Sequence, residues 1–398
     1  MLNHILFWTA LGLIVYAYLG FPAVLLVRGL LRRRPVQRTT IEPHVSLVIV
    51  AHNEASTIAA KIENVYALDY PREKLEVIIA SDGSDDGTNE LVASYVDRGL
   101  RLFEFSRQGK IPALNAAVVR ATGDILVFSD ANSMFAPDAL RALIAPFADP
   151  TVGAVGGNQC YVSGQGSRRA GGHAASFGER LYWDYDRLLK SLQSRAGNMT
   201  SATGAIHALR RELFHPVPFG VSDDFVISTR AVAQGYRLVF EPKAVAYEAI
   251  APSDRAEFKR KQRVLVRALA ALWAVRQLLN PFRYGFYAVQ LASHKLLRWS
   301  VCWLLMLLFG ASALLYNAAP LYRLLTQAQM LFYAWALLVW AVRDTALMRR
   351  RYAKVLSIPF YFCMANFAAL QAWLQMLGGK RVDVWDSARS ATPSLRRA

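Results

Sequence analysis

Three short runs of acidic and amide residues have the types and spacing to do chemistry. Ala51-His52-Asn53-Glu54, Ser81-Asp82-Gly83-Ser84-Asp85-Asp86-Gly87-Thr88 and Ser129-Asp130-Ala131-Asn132 each follow a short apolar, mostly β-branched run. A carboxylate at the end of a strand can accept hydrogen bonds from a nucleobase imide or a ribose hydroxyl. A carboxylate beside an amide or a second carboxylate can hold a divalent cation against a diphosphate. Each loop alone is also an ordinary strand-to-helix turn with Asp or Asn caps. Three in succession, all at carboxyl ends, converge on one crevice and point to a ligand. No G-x-G-x-x-G follows the first strand and no G-x-x-x-x-G-K-[ST] occurs, so dinucleotide oxidoreductases and P-loop enzymes lose support.

The elements that must position these loops read as α/β. Val45–Ala51 and Leu75–Ala80 have the composition of buried parallel strands, and Ser56–Leu68 between them has helical spacing. Arg101–Phe105, Ile111–Arg120 and Ile125–Ser129 continue the strand–helix–strand alternation. That pattern predicts a Rossmann-like, doubly wound sheet with ligands at the carboxyl ends of its strands.

The chain has 398 residues, is 54% hydrophobic and carries a net charge of +17. The charge is uneven: residues 1–40 contribute +5, residues 41–250 contribute −4 and residues 251–398 contribute +16. A nucleic-acid-binding domain would concentrate its positive charge in the middle, so nucleic acid is not the expected partner. Ile5–Val27 is free of charge and is closed by Arg28, Arg32, Arg33 and Arg34. It is long enough to cross a bilayer, for which about 20 residues suffice. Its charges follow the apolar run instead of preceding it, so it reads as an anchor with the next domain on the cytoplasmic side. Trp299–Tyr322, Leu324–Val342 and Val355–Gly379 are three further uncharged stretches. The last contains Pro359, Asn366, Gln371 and Gln375, and is open between a kinked span, a pore-facing helix and an interfacial one. Four spans place the tail outside, whereas the tail's charge of +3 favours inside. Phe282–Arg298 mixes aromatic and basic residues like a helix lying in the interface. Cys160, Cys302 and Cys363 form no disulfide or metal spacing, in keeping with a reducing compartment. The expected organisation is an anchor with a basic flank at 1–40, an α/β domain at 41–253 and amphipathic interface helices at 254–298. Membrane helices at 299–379 and a basic tail at 380–398 complete it.

The run V-x-L-V-I-V-A-H-N-E, then I-I-A-S-D-G-S-D-D-G-T, then L-V-F-S-D-A-N resembles the GT-A glycosyltransferases of family 2. Val221-Ser222-Asp223-Asp224-Phe225 resembles the family's T-E-D loop, which carries the general base. Arg260-Lys261-Gln262-Arg263-Val264 resembles the Q/R-x-x-R-W motif of membrane-bound synthases of cellulose, chitin and hyaluronan. The resemblance runs from about residue 45 to 270. There are departures: D-x-D is D-A-N here, with Asn132 as a weaker ligand for a hard cation. T-E-D is S-D-D, and the closing Trp is Val264, which removes an aromatic platform for the acceptor sugar.

The resemblance implies a GT-A cytoplasmic domain with membrane and interfacial helices, integral to the inner or plasma membrane. It implies transfer from a nucleotide sugar, a UDP-sugar first, with Mg2+ or Mn2+ as cofactor. Asn53, Glu54, Asp82, Gly83, Lys110 and Asp130 would form the nucleotide-sugar pocket, with Asp130 and Asn132 holding the metal. Arg260, Lys261 and Arg263 would neutralise the departing diphosphate. Asp224, with Asp223 beside it, would take the acceptor proton, and one base with direct displacement inverts the anomeric configuration. The acceptor is a glycan or a lipid-linked sugar, the bilayer is a partner, and oligomerisation and export partners stay open. Tyr182, Trp183, Tyr185 and Arg187 on a helix at Ser176–Leu192, and Glu248 after the strand Ala244–Tyr247, are further acceptor-side candidates. His173, His207 and His215 read as structural. Two other functions compete with synthesis of an extracellular polysaccharide or glycolipid: a single transfer to a polyprenyl phosphate, and a non-catalytic assembly component on the same fold.

Overall fold

The computed structural model describes residues 1–162, 173–249, 254–342, 345 and 353–379, with side chains described outside 173–182, 254–257, 353 and 354. The basic tail, the basic loop at Arg343 and Arg349–Arg351, and the side chains of His173, Tyr182 and Lys354 lie outside the described residues.

Eight strands form one sheet: β1 (Val45–Ala51), β2 (Leu75–Asp82), β3 (Leu100–Phe105), β4 (Ile125–Asp130), β5 (Met134–Phe135), β6 (Val152–Val162), β7 (His207–Arg210) and β8 (Arg237–Ala249). The spatial order is β3-β2-β1-β4-β7-β6-β8-β5. The four strands that the apolar runs predict are all parallel, in the order 3-2-1-4. The other half differs from a purely parallel sheet. β7 is antiparallel to β4 and β6, β6 runs parallel to β8, and β5 is antiparallel to β8.

Alternating residues of the parallel strands enter opposite cores, as a period of two requires. Leu47, Ile49, Val77 and Ile79 pack with Ile58, Ile62 and Val65 of α2 on one face. Val48, Val50, Ile78 and Leu126 pack with Leu114 and Val118 on the other. Burying each such Val, Ile or Leu contributes about 1.5–3 kcal/mol.

In chain order the helices used below are α1 (Leu2–Leu31, with a π turn at Tyr16–Gly20), α2 (Ile58–Tyr66), α3 (Lys110–Val119), α4 (His173–Arg195) and α5 (Asp223–Ala233). They continue with α6 (Asp254–Ala274), α7 (Phe286–Leu297), α8 (Val301–Leu314), α9 (Pro320–Val342) and α10 (Ile358–Leu377). Among the described residues, α1 and α9 are each long and apolar enough to cross a membrane. The pair α7 and α8, bent by 63°, makes a third if it is one span. The stretch Trp299–Tyr322 is therefore not one helix: it ends at Leu314, and Pro320 opens α9. Val355–Gly379 becomes α10 and is not among these spans, because its Asn and Gln residues lower its hydropathy. α10 lies instead along α6, with Gln262 donating to Gln371 at 2.8 Å and Val266 and Leu269 packed against Ala372. Tyr287 and Leu291 of α7 enter the same core as the sheet, so the interfacial segment is built into the α/β domain.

Candidate active site

At the carboxyl end of β2 the Asp82 carboxylate is 1% exposed and receives three groups from the loop after β3. Arg107 Nη1 donates to Oδ2 at 2.9 Å, and the backbone N–H groups of Gln108 and Gly109 donate at 2.8 and 3.0 Å. A carboxylate has about four acceptor positions, so Asp82 is mostly committed to anchoring this loop. Gly83 must be glycine for two reasons: its φ is +62°, and a Cβ would lie 2.7 Å from the Arg107 nitrogen. Asn53, at φ +53°, donates from Nδ2 to Asp85 Oδ1 at 2.7 Å and accepts from the Asp85 N–H at 3.0 Å. Glu54 is buried; its N–H donates to Thr88 Oγ1 at 2.9 Å and its carboxylate accepts from Thr57 at 2.8 Å. The first two acidic loops are thus joined into one rim.

The third loop meets a different set. Gly109, at φ +100°, turns the chain into α3, whose first residue is Lys110. Lys110 Nζ lies 2.8 Å from Asp130 Oδ1 and 2.9 Å from Asp223 Oδ2. Burial disfavours its charge, but the two carboxylates outweigh burial and hold its pKa well above the usual lysine value. Burial likewise opposes the charge on Asp223, yet Lys110 and then Arg267, 3.8 Å away, bring its pKa down to about 2. The paired carboxylates at the start of α5 therefore have different surroundings. Asp223 is 7% exposed and ion-paired. Asp224 is half-buried; its Oδ1 accepts from Ser222 at 2.5 Å and from the Phe225 N–H at 2.8 Å, and no described residue donates to Oδ2. His207 stacks on Phe128 beneath these groups, and burial, opposed by Asp224, lowers its pKa and keeps it neutral.

A cavity of about 640 Å³ joins these residues. Lys110, Asp130, Asn132, Asp223 and Asp224 line it, and so do Arg260, Lys261, Arg263 and Val264 of α6. Asn53, Glu54, Asp82 and Gly83 do not line it; they form the separate rim at the strand ends. Of the acceptor-side candidates, Trp183, Tyr185 and Glu248 line the cavity. Arg187 instead pairs with Asp184 and donates to Cys160.

Two features escaped the reading of the sequence. Lys61 of α2 is fully buried; its ammonium donates to Ser129 Oγ at 2.8 Å and to the Ser133 carbonyl, on either side of Asp130 and Asn132. Its ammonium lies 4.2 Å from the Phe135 ring centroid. Burial brings its pKa down to about 7 against the opposing pull of Asp130 and Glu248. The signal was present: Ile58, Lys61, Ile62 and Val65 form one buried helical stripe with a single charge in it. The second feature is a chain of polar contacts from α6 to the same turn. Arg260 Nη1 donates to the Tyr161 hydroxyl at 3.0 Å, and Gln159 Nε2 lies 2.9 Å from that hydroxyl and donates to Glu248 at 2.7 Å. Ser133 donates to the other Glu248 oxygen at 2.5 Å.

Residues 46–217 match the model of glycosyl transferase family 2, so the chain carries a family 2 glycosyltransferase domain on a GT-A fold. It is 27% identical over 231 residues to the poly-beta-1,6-N-acetyl-D-glucosamine synthase of Staphylococcus aureus (strain COL), covering 56% of this chain and 53% of that one. The Staphylococcus epidermidis protein of the same name is 23% identical over 290 residues, covering 69% of this chain and 67% of that one. The chain thus spans about half the length of the first of these relatives. Among solved structures, the mannosyltransferase PcManGT from Pyrobaculum calidifontis, in complex with GDP-Man and Mn2+, superposes with a TM-score of 0.69. That match has 25% identity and covers 94% of this chain and 100% of the other.

Proposed function

We propose that the protein is a membrane-embedded glycosyltransferase that moves a sugar from a nucleoside diphosphate to a hydroxyl of a glycan or lipid-linked acceptor. The transfer takes place at the cytoplasmic face, inverts the anomeric carbon and serves the assembly of an extracellular polysaccharide or glycolipid. The observation that carries this reading is the junction of Lys110, Asp130 and Asp223 beside Asp224, in one cavity with Arg260 and Arg263. The polymer-synthase relatives and the flanking apolar helices support the product class and the membrane setting.

The rim of Asn53, Glu54 and Gly83 receives the nucleoside, and Asp82 acts on it through the Arg107–Gly109 loop that it anchors. Lys110 neutralises the donor diphosphate, and Asp223 holds Lys110 in place. The donor set fits a divalent cation only in part: among the described residues no group of three or more His, Cys, Asp or Glu side chains could hold a metal by itself. Mg2+ is commonly held by one or two protein oxygens plus substrate phosphates, and Asp130 with Asn132 meets that pattern. The ammonium on Asp130 opposes cation binding until a diphosphate arrives. Held by Asp130 and Asn132, Mg2+ or Mn2+ would supply positive charge that stabilises the leaving diphosphate.

The acceptor oxygen bonds to the anomeric carbon while the bond from that carbon to the diphosphate oxygen breaks. The electron pair leaves with the nucleoside diphosphate, beside Arg260, Lys261 and Arg263, and the acceptor proton passes to Asp224. The test is a panel of UDP- and GDP-sugars against the purified protein with and without Mn2+, followed by thermal shift. One donor should stabilise the wild type more strongly with Mn2+, and Asp130→Ala should remove that increment. The absence of stabilisation by any nucleotide sugar would contradict the reading.

A further inference from the structure

Ser133 closes the turn that carries Asp130 and Asn132, and each of its polar groups is engaged. Its N–H donates to the Asp130 carbonyl at 3.1 Å, its carbonyl accepts from Lys61, and its hydroxyl donates to Glu248 Oε1 at 2.5 Å. The residue is fully buried. The sheet sets Glu248 against it. β5 runs antiparallel to β8 with Met134 opposite Tyr247, so the next step of that register brings Ser133 to Glu248. β6 runs parallel to β8 with Gln159 opposite Ala246 and Tyr161 opposite Glu248. A strand period of two puts Gln159 and Tyr161 on one face. Gln159 Nε2 thus donates to Glu248 Oε2 at 2.7 Å and to the Tyr161 hydroxyl at 2.9 Å. Arg260 of α6 completes the series. Its Nη1 donates to the same hydroxyl at 3.0 Å, and its guanidinium lies 5.4 Å from the Tyr161 ring centroid.

Glu248 is 3% exposed, and its hydrogen-bond donors among the described residues are a hydroxyl and an amide. Burying a carboxylate on neutral donors is costly, and an apolar side chain of similar size would fill the space at lower cost. Its charge does favour the ammonium of Lys61, which holds the same turn. What the carboxylate supplies is a fixed relation between two parts of the site on different elements. One is the turn bearing Asn132, just before β5, and the other is Arg260 on α6; both residues line the cavity. A diphosphate has to meet a cation at the first and a guanidinium at the second. An error in their separation would weaken one contact whenever the other is made.

We propose that Glu248 is a positioning residue of the donor site. Through Gln159 and Tyr161 it links the turn of Asp130 and Asn132 to Arg260, so that a divalent cation and the donor diphosphate bind in one geometry. This rests on the reading of the cavity as the transfer site and adds what makes the two ligands cooperative. Loss of a group that orients metal ligands typically costs about ten- to a hundredfold in metal affinity or activity. Glu248→Leu removes both contacts. Glu248→Gln can keep both, because the Gln159 amide can turn its oxygen inward and accept from the new amide and from the Tyr161 hydroxyl.

The experiment is equilibrium binding of UDP and of GDP to the full chain in nanodiscs, with and without Mn2+, with thermal melts as the check on folding. Mn2+ should tighten the binding of one nucleotide to the wild type. Glu248→Leu should lose about tenfold or more of that gain, with little change in affinity without Mn2+, and Glu248→Gln should keep most of it. Tyr161→Phe cuts the same link at its hydroxyl and should lose the gain as Glu248→Leu does, which serves if the latter does not fold. A gain equal to the wild type's in both link-breaking variants would overturn the proposal. So would an equal loss in Glu248→Gln, which would assign the effect to charge, or an equal loss with and without Mn2+, which would make Glu248 a general support of the pocket. Nucleotide binding that Mn2+ leaves unchanged in the wild type would overturn the proposal and leave sugar transfer standing. No binding of either nucleotide would overturn the transfer reading together with it.

Discussion

An ammonium 2.8 Å from Asp130 and 2.9 Å from Asp223 ties the end of β4 to the start of α5, which are far apart in sequence. Removing one partner of such a buried group leaves the others uncompensated, typically at a cost of about 3–5 kcal/mol. Lys110→Met should therefore lower the melting temperature at neutral pH. The folded pKa of Asp223 is depressed from 3.8 to about 2, so its stabilising contribution is complete above pH 3.8 and is lost as pH falls toward about 2. Without Lys110 the folded pKa of Asp223 moves back up toward the unfolded value, so the acid-side loss between pH 3.8 and about 2 should shrink, which a series of thermal melts from pH 7 to pH 2 would read. Superimposable melts would show that the ammonium does not hold the carboxylates. Lys61 works in the opposite sense. Its folded pKa lies below its unfolded value, so burying it costs stability below pH 7, and the cost fades as pH rises toward 10.5. Lys61 makes hydrogen bonds to Ser129 and the Ser133 carbonyl, and burying a charge held only by such neutral groups is costly, so an apolar residue of similar length removes that cost. Lys61→Met should keep or raise the melting temperature while lowering transfer, because the turn carrying Asp130 and Asn132 loses its support. Unchanged transfer would show that the turn holds itself. Lys61 was legible as a charge on an apolar stripe. Its partners were not, since nothing local relates residue 61 to residues 129 and 133.

The placing of the cations on α6 depends on a neighbouring helix. Ala372 is fully buried against Val266 and Leu269, one helical turn from Arg263. A large side chain there overpacks the contact at a typical cost of about 1–3 kcal/mol. Ala372→Phe should shift α6 and raise the KM for donor or acceptor, with nucleoside diphosphate affinity falling less. Kinetics identical to the wild type would show that α10 does not position α6. The parallel strands β1 to β4 were legible because apolar β-branched runs bounded by polar turns report buried strands directly. The insertion of β7 between β4 and β6 was not, because four residues, His207–Arg210, are too short to show a period. The break between α7 and α8 was legible, because the basic and aromatic segment ends at Arg298 where the uncharged stretch begins at Trp299; the 63° angle between the two helices was not.

Over the whole molecule, charge and apolarity separate into layers. The middle of the chain is net −4, and the positive excess lies before residue 41 and after residue 250, around α1, α6 and the C-terminal helices. Basic residues flanking apolar helices favour the cytoplasmic side, so the face bearing Glu73 and Asp97 should lie in the cytoplasm. Single cysteines at these two positions in a Cys-free background should react with an impermeant maleimide only in inverted vesicles, and labelling from the outside would reverse the topology. Asp224 as the base for sugar transfer in this cavity is tested by comparing Asp224→Asn with the wild type under the donor identified by the panel. Donor binding should stay within about twofold of the wild type, and transfer should fall by about two to four orders of magnitude, the usual contribution of a general base. Transfer by Asp224→Asn at the wild-type rate would contradict that role.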